Sequence, residues 1–409
     1  MVRETREART AGSRLERDAM AYNGLRVADS DMHVLEPADL WQRYIDPRFS
    51  HAAPVGLDEI PRDMRLRIKS RVVLRSGATR PREVQKPGDV WRPEHQTAFA
   101  RSEELGWNSQ SQLEAMDSEH LDVTVLFPSR GLFALAIDSV NMLGPNDGLE
   151  PEYAAAIARA YNDWLHDFCQ ADPRRMYGAA MVAPHDIDSA VAEVRRCVEE
   201  YGFKAAFLNP GHVNLRPWHH TAYDPLWAEC ERLNVPICFH GGGQTYLRPD
   251  YSLEVFDKLM LWHVFNQPLG IMAVAVSFTG GGVLERFPNL RVGLLEGNCS
   301  WAPWLMHRLD EHYEWLGHLE APDLTMKPSD YLRRSCFLSV EVDEDTCKYF
   351  VDWFGDDNLL FSTDYPHADC KYPNSLPYFF KLPLSEESQR KVLWDNFCRL
   401  YDFPLEYEA

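Results

Sequence analysis

The sequence predicts an α/β protein in which eight strands form a (β/α)8 TIM barrel. Short, nearly apolar segments recur along the chain, helix-like segments separate them after the first, and polar residues follow their ends. Strands of this kind that alternate with helices indicate a parallel sheet covered on both faces. A doubly wound open sheet is the alternative, but the sequence lacks the glycine-rich turn that usually follows its first strand.

The composition is that of a globular protein with neither a nucleic-acid nor a membrane partner. The chain has 409 residues, of which 45% are hydrophobic and 25% charged, and its formal net charge is -20. This charge would repel nucleic acids and anionic membranes. Residues 1–22 form a charged N-terminal arm without the apolar segment of a secretion signal, and the nine cysteines include no Cys-x-x-Cys pair. We therefore expect a cytoplasmic protein that acts on a small molecule.

The first predicted strand spans residues 25–33 and carries the first candidate metal ligands. Side chains alternate along a strand, so Asp31 and His33 point to the same face. A carboxylate and an imidazole that converge at a strand end can form half of a site for a divalent cation. Residues 39–111 then lose regular apolar periodicity, and a connection of this length is usually functional. We interpret it as a cap-like insertion within a single barrel domain that spans residues 23–409.

The remaining elements alternate between strand and helix, which matches the order in a (β/α)8 barrel. Pro151 in a first turn, Gly202 at a helix end, and Asp224 as an N-cap mark helix boundaries. The predicted strands span residues 122–127, 176–183, 203–208, 235–239, 290–295, 336–342 and 358–362. The predicted helices span residues 151–170, 186–201, 224–233, 301–319, 344–354 and 385–400, with a longer helical stretch at about 253–286.

Ionisable side chains follow five of the predicted strands. In a barrel the carboxyl ends of the strands converge on one mouth, where active sites lie. Imidazoles and carboxylates are suitable ligands for Zn²⁺, Mn²⁺ or Fe²⁺, and a bound ion can activate water or polarise a carbonyl group. The residues that the barrel would bring together are Asp31, His33, His185, His240, Glu296, Asp364 and His367.

Five segments together resemble the amidohydrolase superfamily, specifically its amidohydrolase-2 branch. They read DMHVLEP (31–37), YDPLW (223–227), VPICFHGG (235–242), FPNL (287–290) and STDYPH (362–367). The branch includes aminocarboxymuconate semialdehyde decarboxylase, the dihydroxybenzoate decarboxylases, and related hydratases and hydrolases. The resemblance covers most of residues 24–402 and implies a barrel with a divalent metal ion at its mouth.

The resemblance also implies a ligand set, with two departures from the family pattern. Asp31, His33, His240 and Asp364 would bind the metal, and Asp364 would also handle a proton. Glu296 stands where the decarboxylases carry a histidine before Gly-Gly, and could act as a base or as a further ligand. Asn209 is found where binuclear members carry a carboxylated lysine. We expect one ion; a second would need Glu296 together with Glu36 or His263.

The glutamate at position 296 favours a hydrolase that uses metal-activated water on an ester, thioester, lactone or amide. Asp364, Glu296 and His263 would then be catalytic. His185, Asn209 and His367 would contact the substrate. The alternative is a metal-dependent, non-oxidative decarboxylase of an aromatic or unsaturated carboxylic acid, and a second alternative is a barrel that binds a ligand without turnover. Family resemblance further implies a homodimer.

Overall fold

Eight parallel strands form one sheet in chain order, which confirms the predicted barrel. The structure, a computed structural model, describes residues 22–60, 62–69, 71–73, 93–135, 149–211, 213, 216–241 and 258–407. Residues 1–21 of the predicted arm and 253–257 of the predicted long helix lie outside these ranges. The barrel strands are β1 (Ala28–Val34), β2 (Val123–Pro128), β3 (Met176–Met181), β4 (Ala205–Leu208), β5 (Ile237–His240), β6 (Val292–Leu295), β7 (Cys336–Val340) and β8 (Leu359–Phe361).

Contacts between β1 and the chain that follows β8 bring the two edges of the sheet together. The His33 amide donates a hydrogen bond to the Tyr365 carbonyl oxygen, with 2.7 Å between the two atoms. The Asp29 carboxylate accepts hydrogen bonds from the backbone amide and the hydroxyl of Thr363. These bonds hold the first and last strands side by side, so the sheet curls into a barrel.

The barrel strands are buried on both faces, because side chains fill the interior and helices cover the exterior. Of their residues, Tyr177 alone is half-buried and all the others are buried. The interior is packed closely enough to require small residues. A Cβ atom added at Gly293 would lie 2.7 Å from the Cys238 sulfur, and one at Gly178 would lie 2.6 Å from the Phe203 ring. The barrel is therefore a packed core, and its chemistry lies at an end.

The helices follow the predicted order, with boundary shifts of a few residues. Gly202 adopts φ +71° where it was expected to stop a helix. The N-cap prediction for Asp224 is wrong: a 3-10 turn at Thr221–Tyr223 precedes the helix, and the Asp224 carboxylate pairs with Arg286 at 2.9 Å instead. The helices after β2 are Pro151–Cys169, Ile187–Glu199, Asp224–Arg232, Leu259–Phe278, Val283–Arg286, Ala302–Glu320, Pro328–Ser335, Cys347–Phe354, Ser375–Phe379, Glu386–Arg390 and Asn396–Tyr401, with a π-helical turn at Lys391–Asp395.

The segment predicted as a cap contains short elements that are tied to the ends of β1 and β2. The buried Arg130 side chain, which follows β2, donates hydrogen bonds to the carbonyl oxygens of Glu36 (2.8 Å) and Arg65 (3.2 Å). The Ser102 hydroxyl lies 2.8 Å from the Tyr365 hydroxyl, beyond β8. The elements are helices Leu40–Tyr44, Pro93–Ala98, Ala100–Glu104 and Ser109–Ser118, a 3-10 helix Pro47–Ala52, and antiparallel strands Val55–Gly56, Leu66–Ile68 and Arg71–Val73.

Within the described ranges, no helix combines the length and the apolar character that crossing a bilayer requires.

Glu119, at the end of helix Ser109–Ser118, places a buried carboxyl group between this helix and helix Ser375–Phe379. It is 1% exposed and accepts hydrogen bonds from the Ser375 amide (3.1 Å) and hydroxyl (2.8 Å). Burial raises its pKa to about 7, and the negative charge of Asp29 adds to this effect. The native state therefore keeps a proton that the unfolded chain releases above its ordinary pKa of 4.5. Stability is lost as the pH rises through this window.

We expect Glu119→Gln to remove this part of the pH dependence, because glutamine keeps a hydrogen-bonding carbonyl and cannot ionise. Between pH 5 and pH 8 the free energy of unfolding should fall less in the variant than in the parent, by up to about 3 kcal/mol. Urea denaturation at the two pH values measures this difference. The exposed Glu386→Gln serves as the control, and equal pH dependence in all three proteins would contradict the assignment.

Candidate metal centre

Five of the predicted ligands lie together at the carboxyl ends of four barrel strands. Asp31 and His33 belong to β1, His240 is the last residue of β5, Glu296 directly follows β6, and Asp364 follows β8. All five are buried, and Asp31, His33 and His240 have no solvent exposure. The barrel therefore brings into one dry mouth residues that are more than 300 positions apart in sequence.

The ligand atoms converge in two groups that share His33. The first group is Asp31, His33 and His240; His240 Nε2 and His33 Nε2 lie 2.6 Å and 3.7 Å from Asp31 Oδ1. The second group is His33, Glu296, Asp364 and His367, and His33 Nε2 lies 3.5 Å from Asp364 Oδ1. Within each group the ligand atoms lie within 4.8 Å of one another, a spacing that one or two ions could bridge.

Backbone carbonyl oxygens fix which nitrogen of each imidazole faces the centre. His33 Nδ1 lies 2.7 Å from the Pro128 carbonyl oxygen, and His240 Nδ1 lies 2.7 Å from the Gly241 carbonyl oxygen. A carbonyl oxygen can only accept, so each Nδ1 carries the hydrogen and donates it. The lone pair of each ring is then on Nε2, which points towards the carboxylates. Metal-binding histidines are commonly oriented in this way.

Several polar atoms of the centre are buried and make no hydrogen bond. They are both carboxylate oxygens of Asp31, Nε2 of His33 and of His240, Oε2 of Glu296, and Oδ1 of Asp364. Leaving one such group without a partner costs about 1–3 kcal/mol, and a set of six is not explained by packing. A cation at their centre would satisfy those of Asp31, His33, His240 and Asp364. Two imidazoles with several carboxylates are the ligand chemistry of a divalent transition-metal ion.

The electrostatics of the centre point the same way. Burial raises the pKa values of Glu296 and Asp364 well above their ordinary range, and neighbouring carboxylates raise them further. Burial, together with the other two histidines, holds the pKa of His33 well below its ordinary value. The imidazole is thus neutral and keeps its lone pair. Carboxylates crowded in a dry site repel one another unless a proton or a cation lies between them.

Two of the candidate ligands have a left-handed backbone: Glu296, directly after β6, and Asp364, in the turn that follows β8. Glu296 adopts φ +47° and Asp364 adopts φ +53°. Side chains with a Cβ rarely occupy this region, and such residues concentrate at functional sites. The amide of Glu296 is held by the Ser339 hydroxyl at 2.8 Å. The turn after each strand therefore aims the carboxylate into the mouth.

Neighbouring residues hold these ligands in place: His367 belongs to the second converging group, and Ser129 and Gln267 are residues that the sequence did not single out. The predicted substrate contact of His367 stays a prediction. His367 Nδ1 contacts Asp364 Oδ1 at 2.6 Å, and its Nε2 lies 3.0 Å from the Ser129 hydroxyl. The Gln267 side-chain amide donates a hydrogen bond to Glu296 Oε1. Ser129 follows β2 directly, so the strand-end pattern could have found it. Gln267 lies inside helix Leu259–Phe278, where nothing in the sequence distinguishes it.

The side chains of Glu36 and Asn209 make hydrogen bonds to backbone groups. The Glu36 carboxylate accepts hydrogen bonds from the amides of Ser129, Arg130 and Gly131, so it caps the turn after β2 and cannot serve a second ion. The Asn209 amide donates to the Leu132 carbonyl oxygen at 3.3 Å, and its side-chain oxygen accepts from the Gly211 amide at 2.9 Å. Asn209 therefore joins two loops, and its predicted substrate contact stays a prediction.

His263 and His185 belong to neither of the two groups of converging ligand atoms found in the described residues. His263 is half-buried in helix Leu259–Phe278, and burial lowers its pKa. His185 is buried in the loop after β3. The predicted catalytic role of His263 and the predicted substrate contact of His185 stay predictions.

Curated proteins with similar sequences are mostly decarboxylases. Gamma-resorcylate decarboxylase from Rhodococcus jostii is 26% identical over 71% of this chain and 86% of its own length. The 2-amino-3-carboxymuconate-6-semialdehyde decarboxylase of Dictyostelium discoideum is 24% identical over 64% of this chain and 67% of its own length. A 2-keto-4-carboxy-3-hexenedioate hydratase from Sphingobium is 26% identical over 77% of this chain and 92% of its own length.

Solved structures share the fold. An amidohydrolase from Mycobacterium avium subsp. paratuberculosis superposes with a TM-score of 0.73 at 22% identity, covering 94% of this chain and 99% of its own. A dihydroxybenzoic acid decarboxylase from Polaromonas, solved with manganese and 2-nitroresorcinol, gives a TM-score of 0.58 at 18% identity over 92% of this chain and 97% of its own. The family model described as amidohydrolase matches residues 132–403, about two thirds of the sequence. The chain therefore belongs to the amidohydrolase family.

Proposed function

We propose that this protein is a metal-dependent, non-oxidative decarboxylase of an aromatic or unsaturated carboxylic acid. The observation that carries the proposal is the set of buried, unpartnered ligand atoms at the barrel mouth, in a chain whose curated relatives include two decarboxylases. The relatives give no such support to the hydrolase that the sequence favours. Membership of an enzyme family also disfavours a barrel that binds without turnover.

We assign Asp31, His33, His240 and Asp364 as ligands of one divalent ion, and manganese is the metal to test first. Glu296 is given a separate role, because its Oε1 accepts from the Gln267 amide and its Oε2 lies 3.1 Å from the Nδ1 of His240. A cation held there would supply the positive charge that binds a substrate carboxylate or phenolate oxygen and draws electron density from the carbon skeleton. The dry walls of the mouth strengthen every such interaction.

Glu296 is the proton donor in this proposal. Burial and the nearby carboxylates Asp364 and Asp31 favour its protonated form, and its Oε2 lies 3.1 Å from Nδ1 of the assigned ligand His240. In the reaction the bond between the substrate carbon and its carboxylate breaks, and the electron pair stays on that carbon. The carbon takes the proton from Glu296 while carbon dioxide leaves, and water later restores the proton. A positioned acid of this kind contributes about 10²–10⁴-fold to the rate.

The replacement of a histidine by Glu296 fits this role. An exposed glutamate with its ordinary pKa of 4.5 is ionised at neutral pH and could act only as a base. Burial and the neighbouring carboxylates raise the pKa of Glu296 well above this value and so favour the form that carries a proton. The substitution therefore changes the residue that carries the proton without removing the acid.

Hydration or hydrolysis is the second candidate, and Glu296 is the observation that favours it. If the carboxyl group is ionised in the loaded enzyme, it can take a proton from water beside the substrate. The hydratase relative, which matches over 92% of its own length, shows that the family includes water addition. The two candidates require opposite protonation states of one residue, so experiments can separate them.

The ligand assignment predicts which substitutions remove the metal. We expect His240→Ala combined with Asp364→Asn to lose bound manganese, because two of four ligands are gone. His263→Ala should keep about one equivalent, since that histidine lies outside both converging groups. Mass spectrometry of the metal content of each purified variant measures this. Parent-like metal binding by the double variant would show that the assigned ligands are wrong.

The reaction assignment predicts the product. With manganese-loaded protein and carboxyl-labelled dihydroxybenzoates or unsaturated acids, we expect labelled carbon dioxide and no consumption of esters or lactones. Chelation should stop the release and added manganese should restore it, while Asp364→Asn stays inactive under both conditions. Acid release from an ester without carbon dioxide would instead support the second candidate.

The pH profile tests the role of Glu296. A proton donor must be protonated in the free enzyme, so kcat/KM should fall as the pH rises through the pKa of Glu296. For hydrolysis by an ionised base, kcat/KM should rise through the same region. We expect Glu296→Gln to lower kcat by about 10²–10⁴-fold while the metal content stays unchanged. Glu296→His, which can still carry a proton, should retain more activity than Glu296→Gln.

A further inference from the structure

The turn that carries Glu296 is fixed from β7, a strand that carries none of the assigned metal ligands. We call residues 296–300, between β6 and helix Ala302–Glu320, the β6 turn. Two of its residues have a left-handed backbone, Glu296 at φ +47° and Asn298 at φ +58°. A left-handed residue with a Cβ atom costs about 1–2 kcal/mol. Such a turn keeps its conformation only where its surroundings hold it.

The Glu344 carboxylate holds the far end of the β6 turn. Its Oε1 accepts hydrogen bonds from the amides of Cys299 (3.0 Å) and Ser300 (2.9 Å) and from the Ser300 hydroxyl. Its Oε2 accepts a hydrogen bond from the Glu341 amide at 3.3 Å. Glu344 is 9% exposed, and Glu341 directly follows β7, which pairs with β6. One buried carboxylate therefore ties the β6 turn to the chain that leaves the neighbouring strand.

The near end of the β6 turn is also held from β7. Ser339 lies in this strand, and its hydroxyl accepts a hydrogen bond from the Glu296 amide at 2.8 Å. Between the two anchors, Gly297 lies against helix Leu259–Phe278, because a Cβ atom added there would be 2.8 Å from Ile271 Cγ1. The backbone of the β6 turn is thus fixed at both ends and packed in the middle.

The position of the Glu296 carboxyl group depends on that of the β6 turn. Its Oε1 accepts a hydrogen bond from the Gln267 amide, and its Oε2 lies 3.1 Å from Nδ1 of His240. Both contacts require the backbone of Glu296 to stay where the turn places it. A displacement of about 1 Å at a reacting group can lower a rate about 10²-fold. Contacts that fix the β6 turn therefore bear on any proton transfer by Glu296.

We infer that Glu344 is a positioning residue, whose carboxylate fixes the β6 turn in the conformation that holds the Glu296 carboxyl group in the barrel mouth. The inference rests on the proposed function, in which Glu296 transfers a proton. Among the described residues, Glu344 belongs to neither group of converging ligand atoms. It acts through Glu296 and leaves metal binding unchanged.

A role in starting a helix is the alternative for the same contacts. Cys299 and Ser300 directly precede helix Ala302–Glu320, and a carboxylate near a helix N-terminus is stabilising through the helix dipole. That role predicts a less stable protein whose folded molecules keep their activity. A positioning role predicts a loss of activity that requires an intact Glu296 side chain. The two roles differ in whether the effect of Glu344 on the rate depends on Glu296.

A double-mutant cycle between Glu344 and Glu296 tests the inference. Glu344→Gln keeps the size of the side chain but replaces one acceptor oxygen with a donor amide, so its contacts with three amides and a hydroxyl cannot all form. We expect it to lower kcat about 10–100-fold in the manganese-loaded protein, with metal content unchanged. In the Glu296→Gln background the same substitution should change kcat by less than about twofold. The rate is followed on 2,6-dihydroxybenzoate, or on whichever acid or ester the product assay shows to be consumed.

Asp310→Asn is the matched control on the same helix, Ala302–Glu320. The Asp310 carboxylate also accepts hydrogen bonds from the amide (3.0 Å) and the hydroxyl (2.6 Å) of one serine, Ser329, so its loss should lower stability without changing kcat. Urea denaturation and circular dichroism give the folded fraction of each variant. Unchanged kcat in folded Glu344→Gln, or an equal fall in both backgrounds, would overturn the inference and leave the proposed function in place. Full activity of Glu296→Gln alone would contradict the proposed function, and the inference with it.

Discussion

Closure of the barrel between its first and last strands is the constraint on which the site depends. The hydrogen bond from the His33 amide to the Tyr365 carbonyl oxygen and the contacts of Asp29 with Thr363 join chain segments more than 300 residues apart. The same contacts set His33 Nε2 beside Asp364. An open sheet with the same strands would keep its two edges, and these two ligands, far apart. The contacts that close the barrel therefore also bring these two ligands together.

Much of the fold could be read from the sequence because buried parallel strands leave a strong local pattern. Most are short apolar runs that end at proline, glycine or a polar residue, and all eight were placed within three residues of their ends. The helices Pro328–Ser335 and Ser375–Phe379 were missed, since eight and five residues carry too little helical periodicity to be distinguished from loop. The N-cap prediction for Asp224 failed because its carboxylate pairs with Arg286, which is distant in sequence and so cannot be found from a local pattern.

The candidate site was predictable in position and less so in chemistry. The rule that strand ends converge located the residues that the structure brings together, but it says nothing about what already occupies them. In the sequence Glu36 resembles a ligand. In the structure its carboxylate accepts hydrogen bonds from three backbone amides of the turn about 95 residues later. Glu296 suggests hydrolysis only while its pKa is taken as ordinary. Burial of the Glu296 carboxyl group favours the protonated acid instead, and burial cannot be read from the identity of one residue.

The left-handed backbone at Glu296 and Asp364 limits which residues these positions can accept. Glycine enters this region most readily, followed by asparagine and aspartate, whereas alanine or a β-branched residue would add roughly 1–2 kcal/mol of strain. A substitution there thus changes backbone energy and chemistry together. At position 364 the backbone therefore favours glycine, asparagine or aspartate, and of these only aspartate offers a charged oxygen to a cation.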